Sequence, residues 1–194
     1  MSESGRLFIA GMRVLPKKHL SRTVRRLASV PSQMAVRRFA ARFGLDMSEA
    51  EHPIEAYESV QALFTRRLKP GARPSERDPN VLSSPVDGAL LVANDVGDGQ
   101  LFQAKGRTYS LQALLADAGT EFSAGSYTTI YLSPRDYHRI HSPAAGKILG
   151  YTYVPGALFP VNPAAVAHVD RLFATNDRLI THLQTEAFGR VDVI

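Results

Sequence analysis

Apolar residues repeat at helical spacing near the start of the chain. The first set is Leu20, Val24, Leu27 and Ala28, with arginines at the positions between them. Residues three and four apart share one face of an α-helix, so this pattern predicts an amphipathic helix with a basic side.

A second amphipathic helix is predicted directly after Pro31. Apolar residues recur at the same spacing between residues 36 and 43, again with arginines on the other side. Ser32 is a residue type that caps helix N-termini, and Gly44 suits a C-terminal cap. A third helix is predicted from Ser59 through Leu68.

Beyond residue 70 the helical spacing gives way to short β-branched and aromatic runs. Pro70-Gly71-Ala72-Arg73-Pro74 marks the change, because this segment cannot continue a helix. The predicted elements are strands at 86–93, 101–104, 126–132, 147–154, 179–185 and 191–194, and a short helix at 110–115. We expect the first two strands to be joined across the turn-rich segment 95–99. The pattern predicts an α+β fold, with a β-rich body of short antiparallel strands and basic amphipathic helices at the N-terminus.

Basic residues are concentrated at the N-terminus. Residues 1–43 contain ten Lys or Arg and one acid, a net charge of +9, so the remaining residues carry −4 of the total +5. A basic arm suggests an anionic partner, either lipid headgroups or nucleic acid. The two helices could anchor the protein on an anionic monolayer, or they could be surface helices packed on the body. No stretch approaches the roughly 20 apolar residues that a spanning helix needs.

The densest group of reactive side chains lies between Ser133 and Pro143. It includes His138 and His141 within a run of Asp, Tyr and Arg. Histidine can act as acid or base near neutral pH, and two histidines three apart would share a site if the turn were helical. A metal site would need further ligands that the sequence does not mark, and two surface histidines are the plain alternative.

The composition and the motifs of the chain limit which other catalytic mechanisms are possible. The chain has no cysteine, which excludes a disulfide scaffold, thiolate metal ligands and a cysteine nucleophile. Asp87 is followed by a glycine, which indicates a turn, although an Asp can also orient a distant histidine. A hydrolase that uses Ser133 or Ser142 with His141 is a further hypothesis, but the Gly-x-Ser-x-Gly elbow is missing. The loop 154–163 is either structural or lines a pocket with its apolar residues.

Taken in order, seven segments of the chain resemble the bacterial phosphatidylserine decarboxylase family. They are Phe64-Thr65-Arg66-Arg67-Leu68 with Pro70 to Pro74, Asp78 to Leu82, Pro85-Val86-Asp87-Gly88, Gln103 to Gly106 with Tyr109-Ser110-Leu111, Tyr131 to His141, Val154 to Asn162, and Leu172 to Arg178. Each segment is short, but seven in the same order are specific. The resemblance is strong over residues 60–194 and loose over the N-terminal helices.

The resemblance implies a mechanism and a set of site residues. Family members cleave themselves at a Gly-Ser bond, and the serine becomes a pyruvoyl group on a small α chain. That group forms a Schiff base with phosphatidylserine and accepts the electrons left behind by CO₂, giving phosphatidylethanolamine. By position, Asp87 and His141 match the family's self-cleavage triad, and His138 matches a histidine of decarboxylation. The residues predicted to contact the substrate are Tyr137, Arg139, Phe159 and Asn162.

The family's Leu-Gly-Ser-Thr cleavage motif is absent from these 194 residues. Their one Gly-Ser pair, Gly125-Ser126, precedes the histidines. We therefore expect a β portion that is incomplete at its C-terminus, inactive alone, and partnered by a pyruvoyl-bearing α chain. Residues 1–58 would be the membrane-association region and residues 59–194 the catalytic body. A truncated module that binds anionic lipid without catalysis is the alternative.

The resemblance also bears on partners and location. A lipid substrate and a basic arm favour a peripheral position on the cytoplasmic face of the cytoplasmic membrane, with phosphatidylserine and the anionic surface as partners. Nucleic acid is not expected, because the two predicted basic helices carry only Phe39 and Phe43 as groups that could stack on bases, and no nucleic-acid-binding motif is present. The sequence is compatible with a homo-oligomer but does not fix the number of copies.

Overall fold

The described part of the chain contains six α-helices and seven strands. The computed structural model describes residues 17–74, 76–104, 107–116, 122, 125–161 and 163–194. The helices are α1 (Lys17–Ser29), α2 (Gln33–Phe43), α3 (Val60–Phe64), α4 (Leu111–Leu115), α5 (Pro163–His168) and α6 (Leu172–Thr175), with a 3₁₀ helix at Ile54–Ala56. The strands are β1 (Ala89–Asp95), β2 (Gln100–Ala104), β3 (Arg107–Ser110), β4 (Ser126–Tyr131), β5 (Gly146–Val154), β6 (Arg178–Thr185) and β7 (Gly189–Val193). The predicted α+β class is confirmed.

Helix α2 has both of its predicted caps. The Ser32 hydroxyl accepts a hydrogen bond from the Ala35 N–H, and Gly44 takes the left-handed conformation with φ 65° and donates its N–H to the Ala40 carbonyl. These interactions satisfy backbone groups that a helix end leaves unpaired. They need only neighbouring residues, which is why the sequence predicts them.

Helix α3 is shorter than predicted. It starts after Ser59, as expected, but ends at Phe64 and does not reach Leu68. The following residues are extended, because the Lys69 N–H bonds the Glu49 carbonyl and the Glu51 N–H bonds the Arg67 carbonyl. Pairing with a distant segment has replaced continuation of the helix.

A helical cluster forms the first hydrophobic core of the molecule. Val36 and Leu63 are fully buried, and Ala40 and Tyr57 are almost so. The apolar face of α2 therefore packs on α3 and on the 3₁₀ helix, which fixes the approach of α3 to the rest of the body. The boundary between a membrane-association region (1–58) and a catalytic body (59–194) stays a prediction.

The apolar face of helix α1 is exposed, whereas that of α2 is buried. Val24 and Leu27 are 56% and 67% exposed, although their spacing is that of a buried face. Residues 1–16 of the basic arm lie outside the described residues. No helix in the described ranges is both long enough and apolar enough to cross a bilayer.

The strands form three small antiparallel sheets. The turn-rich segment 95–99 joins β1 to β2 as expected, but these strands do not pair with each other: β1 pairs with β4, and β2 pairs with β3. The third sheet has the order β5-β6-β7. Strand β4 begins about thirty residues after β1 ends, and turn residues predict only pairing between neighbouring strands.

A second core lies under α5 and α6, two helices that the sequence analysis missed. Ala165, Val166, Val169 and Leu172 are buried together. Buried Gln103 on β2 donates from its amide nitrogen to the carbonyls of Val166 and Val169, and its amide oxygen accepts the Leu172 N–H. This one side chain ties the β2–β3 sheet to the helices.

Candidate functional site

The histidine cluster lies on the loop that follows β4. The Asp136 carboxylate accepts the Ser133 N–H at 2.6 Å, which closes a tight turn at the start of the loop. Arg66, at the end of α3, donates from Nη2 to the Arg135 carbonyl at 3.0 Å. Tyr137 is 7% exposed and anchors the middle of the loop in the protein. The loop is therefore held from both sides.

Backbone hydrogen bonds bring this loop against the segment that carries Asp87. The His141 N–H donates to the Pro85 carbonyl at 2.8 Å, and the Ser83 N–H donates to the Pro143 carbonyl at 2.8 Å. The sequence predicted that Asp87 and His141 would meet, and the two segments do lie side by side.

Gly88 is required for the close approach of the Asp87 segment to β4. A Cβ atom at this position would lie 2.5 Å from the Tyr131 carbonyl oxygen and 2.9 Å from Cγ2 of Ile130. A larger residue would push the segment away from the strand. The glycine thus serves close backbone contact rather than a left-handed turn.

The Asp87 carboxylate is bound by Arg73. The Arg73 Nε lies 2.8 and 2.9 Å from the two carboxylate oxygens, and its Nη2 lies 2.5 Å from Oδ2. The same guanidinium also binds both oxygens of Glu49. The hydrogen bonds to Asp87, then those to Glu49, raise the pKa of Arg73. Arg73 fixes the position of Asp87 and keeps a cation beside it.

The His141 imidazole is hydrogen-bonded to Tyr137. Its Nε2 lies 3.0 Å from the Tyr137 hydroxyl, and the two ring centroids are 5.5 Å apart. Asp87 and His141 thus have different side-chain partners, although their backbones are adjacent. Tyr137, predicted as a substrate contact, is placed as a neighbour of the histidine.

The His138 imidazole faces a different neighbour. Its Nδ1 lies 2.9 Å from the Asp136 carbonyl oxygen, and its ring centroid lies 3.9 Å from that of Phe64. Residues 137–142 do not form a helical turn, so the two imidazoles do not share their contacts. We name Asp87, Tyr137, His138 and His141 the loop site.

The remaining predicted residues are spread more widely. Arg139 is exposed and donates from Nε to the Thr65 carbonyl at 2.9 Å. Phe159 packs on the second core, and both of its backbone polar groups bond the Asn176 amide. Asn162 lies outside the described residues.

A cavity of about 310 Å³ adjoins the loop site. It is lined by charged residues of both signs together with Tyr137: Asp46, Glu49, Arg66, Arg73, Asp87, Arg135 and Asp136. Arg66 is only 4% exposed, and burial lowers its pKa, an effect that nearby Tyr57, Asp87 and Asp136 oppose.

Sequence reasoning missed the roles of Arg66 and Arg73. Both stand in segments that carry the family resemblance, but their partners, Asp87 and the 135–136 carbonyls, lie 14 and about 70 residues away. Position in a family motif was the available signal, and only the fold connects it to the loop site.

The serines proposed for a hydrolase have other partners. The Ser142 hydroxyl donates to the Ala144 carbonyl at 2.7 Å, and the backbone N–H of Ser133 donates to the Asp136 carboxylate. In the described part of the chain, no hydrogen bond joins either serine hydroxyl to His141, whose Nε2 contacts the Tyr137 hydroxyl. This geometry does not match a nucleophile beside its base.

Known proteins resemble the chain throughout this region. The family model described as phosphatidylserine decarboxylase matches residues 60–194. Proteins named phosphatidylserine decarboxylase proenzyme are similar: that of Anaeromyxobacter sp. (strain K) is 48% identical over 187 residues, covering 93% of this chain and 66% of the relative. That of Myxococcus xanthus is 46% identical over 194 residues, covering 96% and 69%. That of Brevibacillus brevis is 42% identical over 184 residues, covering 93% and 66%.

These matches extend across the loop site and both cores. The chain spans about two thirds of the length of the curated relatives that it matches. The model match covers more than half of the chain, and the identities are well above the level at which a shared fold is in question. The chain belongs to the phosphatidylserine decarboxylase family.

Proposed function

We propose that this chain is the β portion of a pyruvoyl-dependent enzyme that converts phosphatidylserine to phosphatidylethanolamine. The observation that carries the proposal is the backbone contact between His141 and Pro85, which sets the histidine loop beside Asp87 in a member of this family. The partner would be an α chain that bears the pyruvoyl group, and the chain alone would be inactive.

The residues of the loop site fit the formation of that group from a serine. His141 has an exposed imidazole whose Nε2 contacts the Tyr137 hydroxyl, and among the described residues its Nδ1 has no hydrogen-bond partner, so Nδ1 is available to take a proton from a hydroxyl. Asp87 would stabilise the protonated imidazole as the triad acid does in serine proteases. The Arg73 guanidinium holds the Asp87 carboxylate in place, but it also competes with His141 for that carboxylate.

His138 would serve the decarboxylation itself. Its ring rests on Phe64, and its Nδ1 is fixed by the Asp136 carbonyl. That bond assigns the proton to Nδ1 and leaves Nε2 to accept or deliver a proton beside an apolar wall. A pyruvoyl carbonyl, when present, supplies an electron sink for the pair released with CO₂. His138 would then return a proton to the carbon that has lost CO₂.

The N-terminal helices would hold the enzyme on its lipid substrate. Val24 and Leu27 form an exposed apolar stripe on α1, and Met34 at the start of α2 is also exposed, at 68%. Arginines of the same helices flank this stripe, a combination typical of interfacial helices on anionic lipid. A peripheral position on the cytoplasmic face of the membrane is part of this proposal, with Arg139 and Phe159 as predicted lipid contacts.

Vesicle flotation tests this membrane proposal. The Val24→Asn/Leu27→Asn double variant should lose most binding to vesicles of phosphatidylserine and phosphatidylcholine. It should keep its folding stability, because both side chains are already exposed. An unchanged flotation would contradict a role for α1. A matched control is Val81→Asn/Leu82→Asn, which removes two exposed apolar side chains that lie outside α1 and α2.

A non-enzymatic lipid-binding module is the second candidate, and the exposed stripe of α1 favours it equally. Intact mass of the protein expressed from its full reading frame separates the two. The decarboxylase predicts two chains, the smaller one blocked by a carbonyl, together with CO₂ release from phosphatidylserine. A single uncleaved chain that binds phosphatidylserine vesicles without CO₂ release would establish the module instead.

A further inference from the structure

The cavity beside the loop site contains one buried cation whose hydrogen-bonding capacity is incompletely used. Arg66 donates from Nη2 to the carbonyls of Arg135 and Asp136, whereas its Nε and Nη1 are buried without a hydrogen-bond partner. A guanidinium has five N–H donors, and buried donors are almost always paired. The unpaired donors of Arg66 are therefore a feature that points to a ligand.

The other arginines at this cavity are already committed. Arg73 forms ion pairs with Asp87 and Glu49. Arg135 is largely exposed, with its Nε 3.7 Å from Asp136. Among the described arginines that line the cavity, Arg66 is the one whose hydrogen bonds go to backbone carbonyls and not to carboxylates. Its charge is available to an incoming anion.

The acidic residues at the same cavity also fit a particular ligand. Asp46 accepts the Ser48 N–H, and Asp136 accepts the Ser133 N–H, so both carboxylates are fixed in place. A wall that holds fixed carboxylates and a buried guanidinium complements a zwitterion, with an ammonium group and an oxyanion a few bonds apart. A simple anion would gain from Arg66 alone and would be repelled by the acids.

We propose that Arg66 binds an oxyanion of the zwitterionic headgroup in this cavity, an inference that rests on the proposed function. Serine phospholipid offers two such oxyanions, the phosphodiester and the carboxylate. Pairing with the carboxylate would stabilise the ground state and oppose the loss of CO₂, because the charge leaves that group in the transition state. The phosphodiester keeps its charge throughout, so it is the oxyanion that we expect at Arg66.

Equilibrium binding of soluble headgroups tests the proposal apart from turnover. The probes are glycerophosphoethanolamine, which has the phosphodiester but no carboxylate, and serine, which has the carboxylate but no phosphodiester. They are titrated by calorimetry into the processed enzyme and into Arg66→Gln. We expect Arg66→Gln to weaken glycerophosphoethanolamine at least about 10-fold and to leave serine unchanged. A loss confined to serine would keep Arg66 as the oxyanion ligand and assign it to the carboxylate.

Two further variants guard against a merely structural effect. Arg67→Gln is the matched control, because Arg67 is the adjacent arginine and is exposed. Arg66→Lys keeps the charge and should recover part of the headgroup affinity even if the 135–136 turn is loosened. Unchanged binding of both probes in a folded Arg66→Gln protein would overturn the inference. So would an equal loss in Arg66→Gln and Arg67→Gln.

Failure of this inference is distinguishable from failure of the proposed function. A wild-type protein that binds glycerophosphoethanolamine but releases no CO₂ would contradict the decarboxylase and leave the Arg66 assignment standing. A wild-type protein that releases CO₂, with Arg66→Gln binding both headgroups normally, would contradict only the assignment. For an active Arg66→Gln, the expected kinetic signature is a raised KM with a smaller change in kcat.

Discussion

The molecule contains two histidine–aspartate regions built from similar side chains in opposite surroundings. At the loop site, His141 is exposed and Asp87 is partly so, and backbone hydrogen bonds hold their segments together. In the third sheet, His182 and Asp192 are buried on β6 and β7, with Nδ1 of the histidine 3.0 Å from the carboxylate.

The two regions differ in how their histidines are paired. Both ring nitrogens of His182 have partners, since Nε2 contacts the Thr152 hydroxyl at 2.8 Å and Nδ1 lies near Asp192 and Arg190. We call these four residues the sheet network. His141 has one side-chain partner and access to solvent. Residue type alone therefore does not identify a reactive site; access and an incompletely paired ring nitrogen do.

Removing the aspartate charge from each region should give the largest difference between them. Asp87→Asn should slow self-cleavage of the full-length protein by about 1,000-fold, because the neutral amide cannot stabilise a protonated His141. Asp192→Asn should leave cleavage within about twofold. Gel analysis of cleavage after synthesis measures both. If cleavage fails equally in the two variants, self-cleavage does not depend specifically on the loop site.

The same pair should behave in the opposite way toward unfolding. Asp192 accepts from Arg190 Nε at 2.7 Å, and its side chain is only 4% exposed. Asp192→Asn should lower the free energy of unfolding by about 3 kcal/mol, since it removes the carboxylate charge from a largely buried cluster with His182 and Arg190. Urea denaturation measures this loss. Asp170→Asn is the control, because Asp170 is 70% exposed and should change stability by less than about 0.5 kcal/mol.

A smaller effect is expected from the scaffold of the loop site. Gly88→Ala places a methyl group against the Tyr131 carbonyl, and the resulting shift should cost about 1–3 kcal/mol and displace Asp87. Gly97→Ala is the matched control, because no atom lies within 4 Å of the carbon that it adds. Thermal unfolding and cleavage rate check the pair. A Gly88→Ala protein as stable and as well cleaved as Gly97→Ala would contradict the tight approach of this segment to β4.

Local signals explain which parts of this fold were predictable. Ser32 and Gly44 cap α2 as the sequence predicts, since a cap depends on residues within one helical turn. The exposed face of α1 was not predictable, because the periodicity of Val24 and Leu27 marks a face without saying what covers it. The pairing of β1 with β4 and the ending of α3 at Phe64 depend on distant partners.

The loop site shows the same limit at the level of side chains. Asp87, His138 and His141 could be named from family motifs, and their roles stay predictions. In the fold, the segments of Asp87 and His141 lie side by side. The Arg73 bond to Asp87, the Tyr137 bond to His141 and the sheet network depend on which strands and loops lie side by side. No short stretch of sequence shows which strands and loops lie side by side, so these contacts could be seen only in the structure.

We propose that His141 acts in forming the cofactor and that His138 acts in decarboxylation. The deciding experiment expresses His141→Ala and His138→Ala from the full reading frame and measures, for each, chain cleavage and CO₂ release from phosphatidylserine. We expect His141→Ala to stay uncleaved. His138→Ala should be cleaved at the normal rate and release CO₂ about 100-fold or more slowly. A cleaved His138→Ala protein with normal turnover, or a cleaved and active His141→Ala protein, would show that the two histidines do not divide the work in this way.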